Sequence, residues 1–130
     1  MSKLLKAECN PENYSPLSLA YLGDSVFDLM VRENMLINAN RPAGEMNKEK
    51  VKIVCCKNQA NIVDILLPML NEEETAVYKR GRNAHSKPPK NATSADYHKA
   101  TGLESLWGYL YLQGNIERLR ELFSHIEEVE

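Results

Sequence analysis

Two acidic side chains occupy positions where a buried helix normally carries apolar residues. Between Ser15 and Val31 the only charged residues are Asp24 and Asp28. At 100° per residue, Asp24 falls within the same arc of about 80° as four apolar residues, Leu17, Ala20, Phe27 and Val31. From residue 100 to residue 116 the only charged side chain is Glu104, in a stretch that is apolar almost all round. The spacing therefore predicts two buried helices that each present one carboxylate.

An isolated buried carboxylate costs several kcal/mol unless a partner compensates its charge. The nearest basic residues on the same helices, Lys99 and Arg32, lie five positions from Glu104 and eight from Asp24. A shared cation would compensate both acids, and oxygen ligands without His or Cys favour Mg²⁺ or Mn²⁺. The alternative is structural: each acid binds a helix N-terminus, a Tyr hydroxyl or a distant Arg. Asp28 is either exposed to solvent or contacts the metal-binding side chains without binding the metal itself.

Helices must position these acids, because no segment has the alternation of a strand. Helical spacing and capping residues predict helices over about 16–37, 42–56, 59–67, 72–83, 94–113 and from 116 onward. The expected N-caps include Asn71, with Glu74 in a capping box, Ser94 and Asn115. The prediction is an all-α fold of six or seven helices in a single domain over residues 1–130, with 1–14 as a lead-in.

Composition excludes several classes of protein. The chain has 130 residues, of which 43% are hydrophobic and 26% charged, as in one globular domain. No apolar run approaches the roughly 20 residues needed to span a bilayer, so we expect no membrane segment. The three cysteines, Cys9, Cys55 and Cys56, are odd in number and lack zinc-site spacing. Reduced thiols and a cytoplasmic location follow as expectations.

Positive charge is concentrated in one stretch. The net charge is −2, yet residues 79–90 contain no acid and five basic residues, Lys79, Arg80, Arg82, Lys87 and Lys90. Such a run is usually a solvated surface, and the alternative is a contact with phosphates.

Several motifs resemble the ribonuclease III catalytic domain. The segment from Leu19 to Asp28, Leu-Ala-Tyr-Leu-Gly-Asp-Ser-Val-Phe-Asp, resembles the signature helix of that family. Leu103 to Leu112 is similar to its second acidic helix, and 79–84, followed by a Pro/Lys-rich loop, is similar to the Mini-ribonuclease III branch. The resemblance implies an all-helical homodimer that hydrolyses double-stranded RNA with a divalent metal. It also implies a catalytic domain without a double-stranded-RNA-binding domain, and a role in maturation of the large-subunit ribosomal RNA precursor.

The resemblance assigns Asp24 and Glu104 as the catalytic, metal-binding carboxylates, with Mg²⁺ as cofactor and Mn²⁺ as a substitute. Two departures from the family pattern are Ala20 and Thr101, where longer relatives carry acids, so the number of metal ions stays open. The expected RNA-contact residues are Lys79, Arg80, Arg82, Asn83, Lys87 and Lys90, in a stretch that Gly81 and the prolines keep extended. Leu19, Tyr21 and Leu22 pack either against a partner subunit or in the subunit's own core.

Two other functions remain compatible with the sequence. One is a catalytically silent helical domain that binds structured RNA within a larger assembly, and the loss of acids at positions 20 and 101 would suit it. The other is a helical adaptor without an RNA role, which the basic stretch disfavours.

Overall fold

The computed structural model describes residues 3–127, without the side chain of Glu127. It contains six α-helices: α1 (Pro16–Asn38), α2 (Ala43–Val54), α3 (Cys56–Leu66), α4 (Glu72–Arg82), α5 (Ser94–Leu112) and α6 (Ile116–Glu127). Short 3-10 turns lie at Pro11–Asn13 and Leu67–Met69. The predicted all-α class is confirmed, since the described part of the chain has no strand. None of the helices within 3–127 combines the length and apolar character needed to cross a membrane.

The starts of α1 and α4 follow from the residues that precede them. Ser15 Oγ accepts the backbone N–H of Ser18 at 3.2 Å, ahead of a proline in the first turn. Asn71 and Glu74 form the predicted capping box, with bonds of 2.8 and 3.0 Å. Local side-chain chemistry therefore sets where these two helices begin.

Two other boundaries differ from the prediction. The N-cap of α5 is Thr93 and not Ser94, because Thr93 Oγ1 accepts the N–H of Asp96 at 3.1 Å. The second and third helices meet at Cys55, whose backbone is extended, so α3 begins at Cys56 and not at Gln59. As a result, α3 begins three residues earlier than expected.

Helix α5 is the centre of the fold, as its apolar sequence predicts. It packs against α1, α4, α3 and α6, and most of its side chains are buried. Trp107 stacks on Phe27 of α1 with ring centroids 5.7 Å apart. Helix α2 contains no fully buried residue and contributes only partly buried side chains, among them Met46 and Ile53, to the core. The elements that carry Asp24 and Glu104 are therefore in direct contact within the core.

The α1–α5 contact is backbone against backbone. A Cβ atom added at Gly23 would lie 1.7 Å from the carbonyl oxygen of Glu104. One added at Gly108 would lie 2.1 Å from the carbonyl oxygen of Leu19. Gly23 of α1 and Gly108 of α5 each face the backbone of the other helix. Because neither has a side chain, the two helices approach more closely than a Cβ atom at either position would allow. This approach brings the residue after Gly23 beside Glu104.

Candidate metal and RNA site

The carboxyl groups of Asp24 and Glu104 are neighbours where α1 crosses α5, close enough for Asp24 to affect the pKa of Glu104. The structure therefore brings the two predicted acids together. Their surroundings differ: Glu104 is half-buried, whereas Asp24 is exposed. The expectation that Asp24 lies in the middle of the apolar stripe is wrong.

The glycine contact explains why Asp24 is exposed. The buried face of α1 consists of Leu19, Ala20, Gly23, Phe27, Val31 and Met35. Gly23 makes the contact with α5, so Asp24 lies beside the crossing and remains open to solvent. Leu17, which was also expected in the stripe, is 40% exposed because it precedes the region that α5 covers.

The surroundings of Glu104 disfavour its charge. Burial raises the pKa of Glu104 well above its ordinary value, and the hydrogen bond and negative charge of Asp24 raise it further. An N–H from Gln59 acts in the opposite direction and lowers this pKa. A cation beside the Glu104 carboxylate would favour its ionised form.

No basic side chain of the protein supplies that cation. Within residues 3–127, neither Asp24 nor Glu104 forms an ion pair. The nearby cations bind Asp28 instead: Arg32 Nε lies 2.7 Å and Lys50 Nζ 3.1 Å from its carboxylate oxygens. Asp28 is thus an ion-paired residue that ties α2 to α1, one turn from Asp24.

The donor atoms suit a hard divalent ion. Both candidate ligands are carboxylates, which Mg²⁺ prefers, and Mg²⁺ usually keeps several waters when it binds one or two carboxylates. The described residues contain no cluster of three or more Asp, Glu, His or Cys side chains that could hold a metal. Ala20 and Thr101 are buried, and the Thr101 hydroxyl donates to the Tyr97 carbonyl at 3.0 Å. Within residues 3–127, the side chains at this crossing that would suit such an ion are therefore the two carboxylates of Asp24 and Glu104.

Sequence reasoning missed Gln59, which contacts Glu104. Its side chain is buried, and Nε2 donates to the Val54 carbonyl at 2.8 Å and to Glu104 Oε2 at 3.5 Å. Its Oε1 is buried without a hydrogen-bond partner in the described chain. A signal was present, because Gln59 shares the helical spacing of the buried residues Ile62, Val63 and Leu66.

The predicted RNA-contact residues are distributed over the end of α4 and the segment that follows it. Lys79, Arg80, Asn83, Lys87 and Lys90 are exposed. Arg82, by contrast, is half-buried; its guanidinium lies 5.7 Å from the centre of the Tyr78 ring, and its Nε donates to Asn83 at 3.2 Å.

Gly81 has a different role from the one expected of it. It is helical and buried, and a Cβ there would lie 2.3 Å from Ser105 Oγ. Gly81 therefore brings α4 close to α5 and does not keep the basic stretch extended. Lys79, Arg80 and Arg82 form the last helical turn, where positive charge is favourable.

The three candidate dimer residues separate into two groups. Leu19 is 5% exposed and belongs to the subunit's own core, which was the alternative left open by the sequence. Tyr21 is 86% exposed, and Leu22 lines an open apolar groove together with Val26, Leu29 and Tyr111. Only Tyr21 and Leu22 are available to a partner.

Comparison with known proteins identifies the family. The Ribonuclease III domain matches residues 17–115. A Mini-ribonuclease 3 from Symbiobacterium thermophilum is 42% identical over 114 residues, covering 87% of this chain and 88% of the relative. One from Thermoanaerobacter sp. is 43% identical over 109 residues, covering 83% and 77%.

A solved structure has the same arrangement of helices. A crystal structure of a protein from Fusobacterium nucleatum superposes with a TM-score of 0.83 at 27% identity, covering 94% of this chain and 98% of the other. The chain, with its paired acids at the α1–α5 crossing, therefore belongs to the ribonuclease III family of metal-dependent endoribonucleases for double-stranded RNA, in the Mini-ribonuclease III branch.

Proposed function

We propose that the chain hydrolyses phosphodiester bonds of double-stranded RNA at Asp24 and Glu104, with Mg²⁺ as the resident cation and Mn²⁺ as a substitute. The observation that carries the proposal is the proximity of two carboxyl groups at the α1–α5 crossing, neither of which has an ion-pair partner in the described part of the chain. Protein sites that leave two like charges unpaired are typical of metal or catalytic sites.

The protein's contribution is to hold and orient the two carboxylates. The glycine contact sets the separation of α1 and α5, and so of the backbone positions that carry the two acids. Glu104 is half-buried, whereas the exposed Asp24 is accessible to a phosphate of the substrate. A divalent ion, when bound, lowers the pKa of a water molecule and neutralises charge on the reacting phosphate.

Cleavage of a long RNA duplex with Mg²⁺ or with EDTA tests the function. We expect cleavage that requires Mg²⁺ and disappears in Asp24→Asn. Binding without cleavage would instead favour the silent RNA-binding domain. Neither binding nor cleavage would favour the helical adaptor.

We propose that the exposed cations at the end of α4 and in the segment 83–93 bind the RNA backbone. Supporting this, Lys79, Arg80, Lys87 and Lys90 are exposed and none of them forms an ion pair within 3–127. Free lysines on one surface are suited to phosphates and 2′-hydroxyl groups of a duplex. Arg82 and Asn83, bonded to each other, then orient the turn that leads into the segment.

Replacing both loop lysines should weaken RNA binding in a salt-dependent way. We expect Lys87→Ala combined with Lys90→Ala to reduce the slope of log affinity against log salt by about 2, because each phosphate contact contributes roughly 1. Filter binding of a duplex to Asp24→Asn protein at several salt concentrations measures the slope. Lys6→Ala is the control, since Lys6 is exposed near the opposite end of α5. An unchanged slope in the double variant would rule out this surface as the anchor.

We also propose a homodimer that works in the cytoplasm on precursor ribosomal RNA of the large subunit, as the family resemblance implies. Exposed Tyr21 and Leu29 and the apolar groove beside Leu22 support a second copy as the partner. A protein that sediments as a monomer at the concentrations used for cleavage would contradict the dimer. Equal cleavage rates for the precursor and for unrelated duplexes would contradict the ribosomal substrate.

A further inference from the structure

Gln59 is a buried polar side chain at the junction of α2 and α3. It lies in the first turn of α3, a helix that begins directly after the extended Cys55. Only 2% of Gln59 is exposed, and its neighbours along the same helical face are apolar. A buried amide in such a face costs free energy unless its hydrogen bonds compensate, so the use of its bonds is informative.

One of these bonds is structural and the other reaches the candidate metal site. Nε2 donates to the Val54 carbonyl at 2.8 Å, which connects α3 to the last turn of α2. The same nitrogen is 3.5 Å from Glu104 Oε2, which is longer than the usual N–H···O distance of about 2.7–3.2 Å. Among the hydrogen bonds within residues 3–127, this is the one that brings an N–H group to the Glu104 carboxylate.

The neighbouring residue separates the two roles. Asn58 Nδ2 donates to the Ile53 carbonyl at 2.7 Å, a bond equivalent to that of Gln59 with Val54. Asn58 forms no bond to Glu104. The α2–α3 junction therefore has two similar hydrogen bonds from side-chain amides. Of the two residues that form them, only Gln59 also contacts the Glu104 carboxylate.

We propose that Gln59 is a positioning residue for Glu104: its N–H group holds the carboxylate in the orientation that faces Asp24. The inference rests on the proposed function, because it assigns Gln59 to the same metal site. An N–H donor favours the ionised carboxylate without adding a charge that would compete with a metal. Gln59 Oε1 is buried without a hydrogen-bond partner in the described chain, so both hydrogen bonds of this amide that the structure shows are made by Nε2.

The test compares the Mg²⁺ dependence of Gln59→Met with that of Asn58→Leu. Both substitutions are close in shape to the natural residue and remove one amide bond at the α2–α3 junction. Two quantities are measured for each protein: the Mg²⁺ concentration that gives half of the metal-induced rise in Tm, and the concentration that gives half-maximal cleavage. The first needs no activity and reports metal binding directly.

We expect Gln59→Met to require about 10-fold more Mg²⁺ in both measurements, the lower end of losses seen when residues that orient metal ligands are removed. Asn58→Leu should keep the wild-type Mg²⁺ dependence, even where the metal-free Tm falls. Gln59→Asn, whose amide is one carbon shorter, should follow Gln59→Met and covers the case in which the methionine variant does not fold.

Wild-type Mg²⁺ dependence in Gln59→Met, or an equal change in Asn58→Leu, would overturn the inference. Failure of the proposed function has a different signature. In that case, the wild-type protein would cleave in EDTA or would not cleave at all, and Glu104→Gln would have the same Mg²⁺-induced rise in Tm as wild type.

Discussion

Glu104→Gln is expected to abolish cleavage while raising the thermal stability of the metal-free protein at neutral pH. Loss of a carboxylate that holds the cation should reduce the rate by about a thousand-fold or more, since metal ions supply several kcal/mol of transition-state stabilisation. Stability rises because burial and Asp24 raise the pKa of Glu104 to about 8, so folding at neutral pH requires this carboxyl group to take up a proton, a cost that the neutral glutamine does not have. Activity and stability should therefore change in opposite directions at this position.

The raised pKa of Glu104 determines how the stability of the metal-free protein changes with pH. The folded-state pKa of Glu104 is raised above its unfolded value of roughly 4.3, so the folded protein retains a proton that the unfolded chain releases. The stability of the metal-free wild type should then decrease as pH rises from the unfolded pKa through the raised folded pKa. Glu104→Gln should lack this decrease, and the two proteins should have similar stabilities below the unfolded pKa.

Thermal unfolding in EDTA across this pH range measures the effect, and addition of Mg²⁺ should raise the Tm of the wild type only. Glu33→Gln is the matched control, because Glu33 is an exposed acid on α1 without an ion pair in the described chain. A Glu104→Gln protein that is less stable than the wild type without metal, or that still cleaves RNA, would contradict the assignment.

Gly23→Ala is expected to cause the largest loss of stability of any single methyl group added to this fold. The new Cβ would lie 1.7 Å from the Glu104 carbonyl oxygen and 2.8 Å from the backbone nitrogen of Gly108, so the helices must separate. Overpacking in a core usually costs about 1–3 kcal/mol. Here the obstructing atoms are backbone and cannot rotate away, so we expect at least about 3 kcal/mol.

Gly44→Ala provides the control in the same type of helix. Nothing lies within 4 Å of a Cβ at Gly44, and alanine has the higher helix propensity, so stability should stay the same or rise by up to about 1 kcal/mol. Urea unfolding of both variants measures the difference. A Gly23→Ala protein as stable as Gly44→Ala would show that α1 and α5 are not in backbone contact.

The sequence was sufficient to predict which acids meet, because each stands alone on a helix that is otherwise apolar over several turns. It was not sufficient to predict their exposure. A helical wheel averages along the axis, whereas α5 covers α1 only around Gly23, and this leaves Asp24 and Leu17 in solvent. The burial of Leu19 and the helical state of Gly81 depend on which helix lies opposite, which is a tertiary property.

Local chemistry was a better guide to the helix boundaries than to the site. The capping box at Asn71 was predicted correctly because its two bonds involve residues three apart. Thr93 and Ser94 are adjacent hydroxyl residues with similar capping ability, so sequence alone did not distinguish them. The predicted helix over 59–67 places Gln59 at a helix end, whereas the helix begins at Cys56 and Gln59 lies on its buried face.

The glycine contacts also restrict how an enzyme of this shape can change over time. A larger residue at 23 or 108 would alter the separation of the two acids at once, so neither position offers a gradual route to altered catalysis. Ala20 and Thr101 are small buried side chains near the same crossing, at positions where the family resemblance places acids in longer relatives. Divergence in metal affinity among such nucleases is therefore expected to arise at these flanking positions, while the spacing of the helices remains constant.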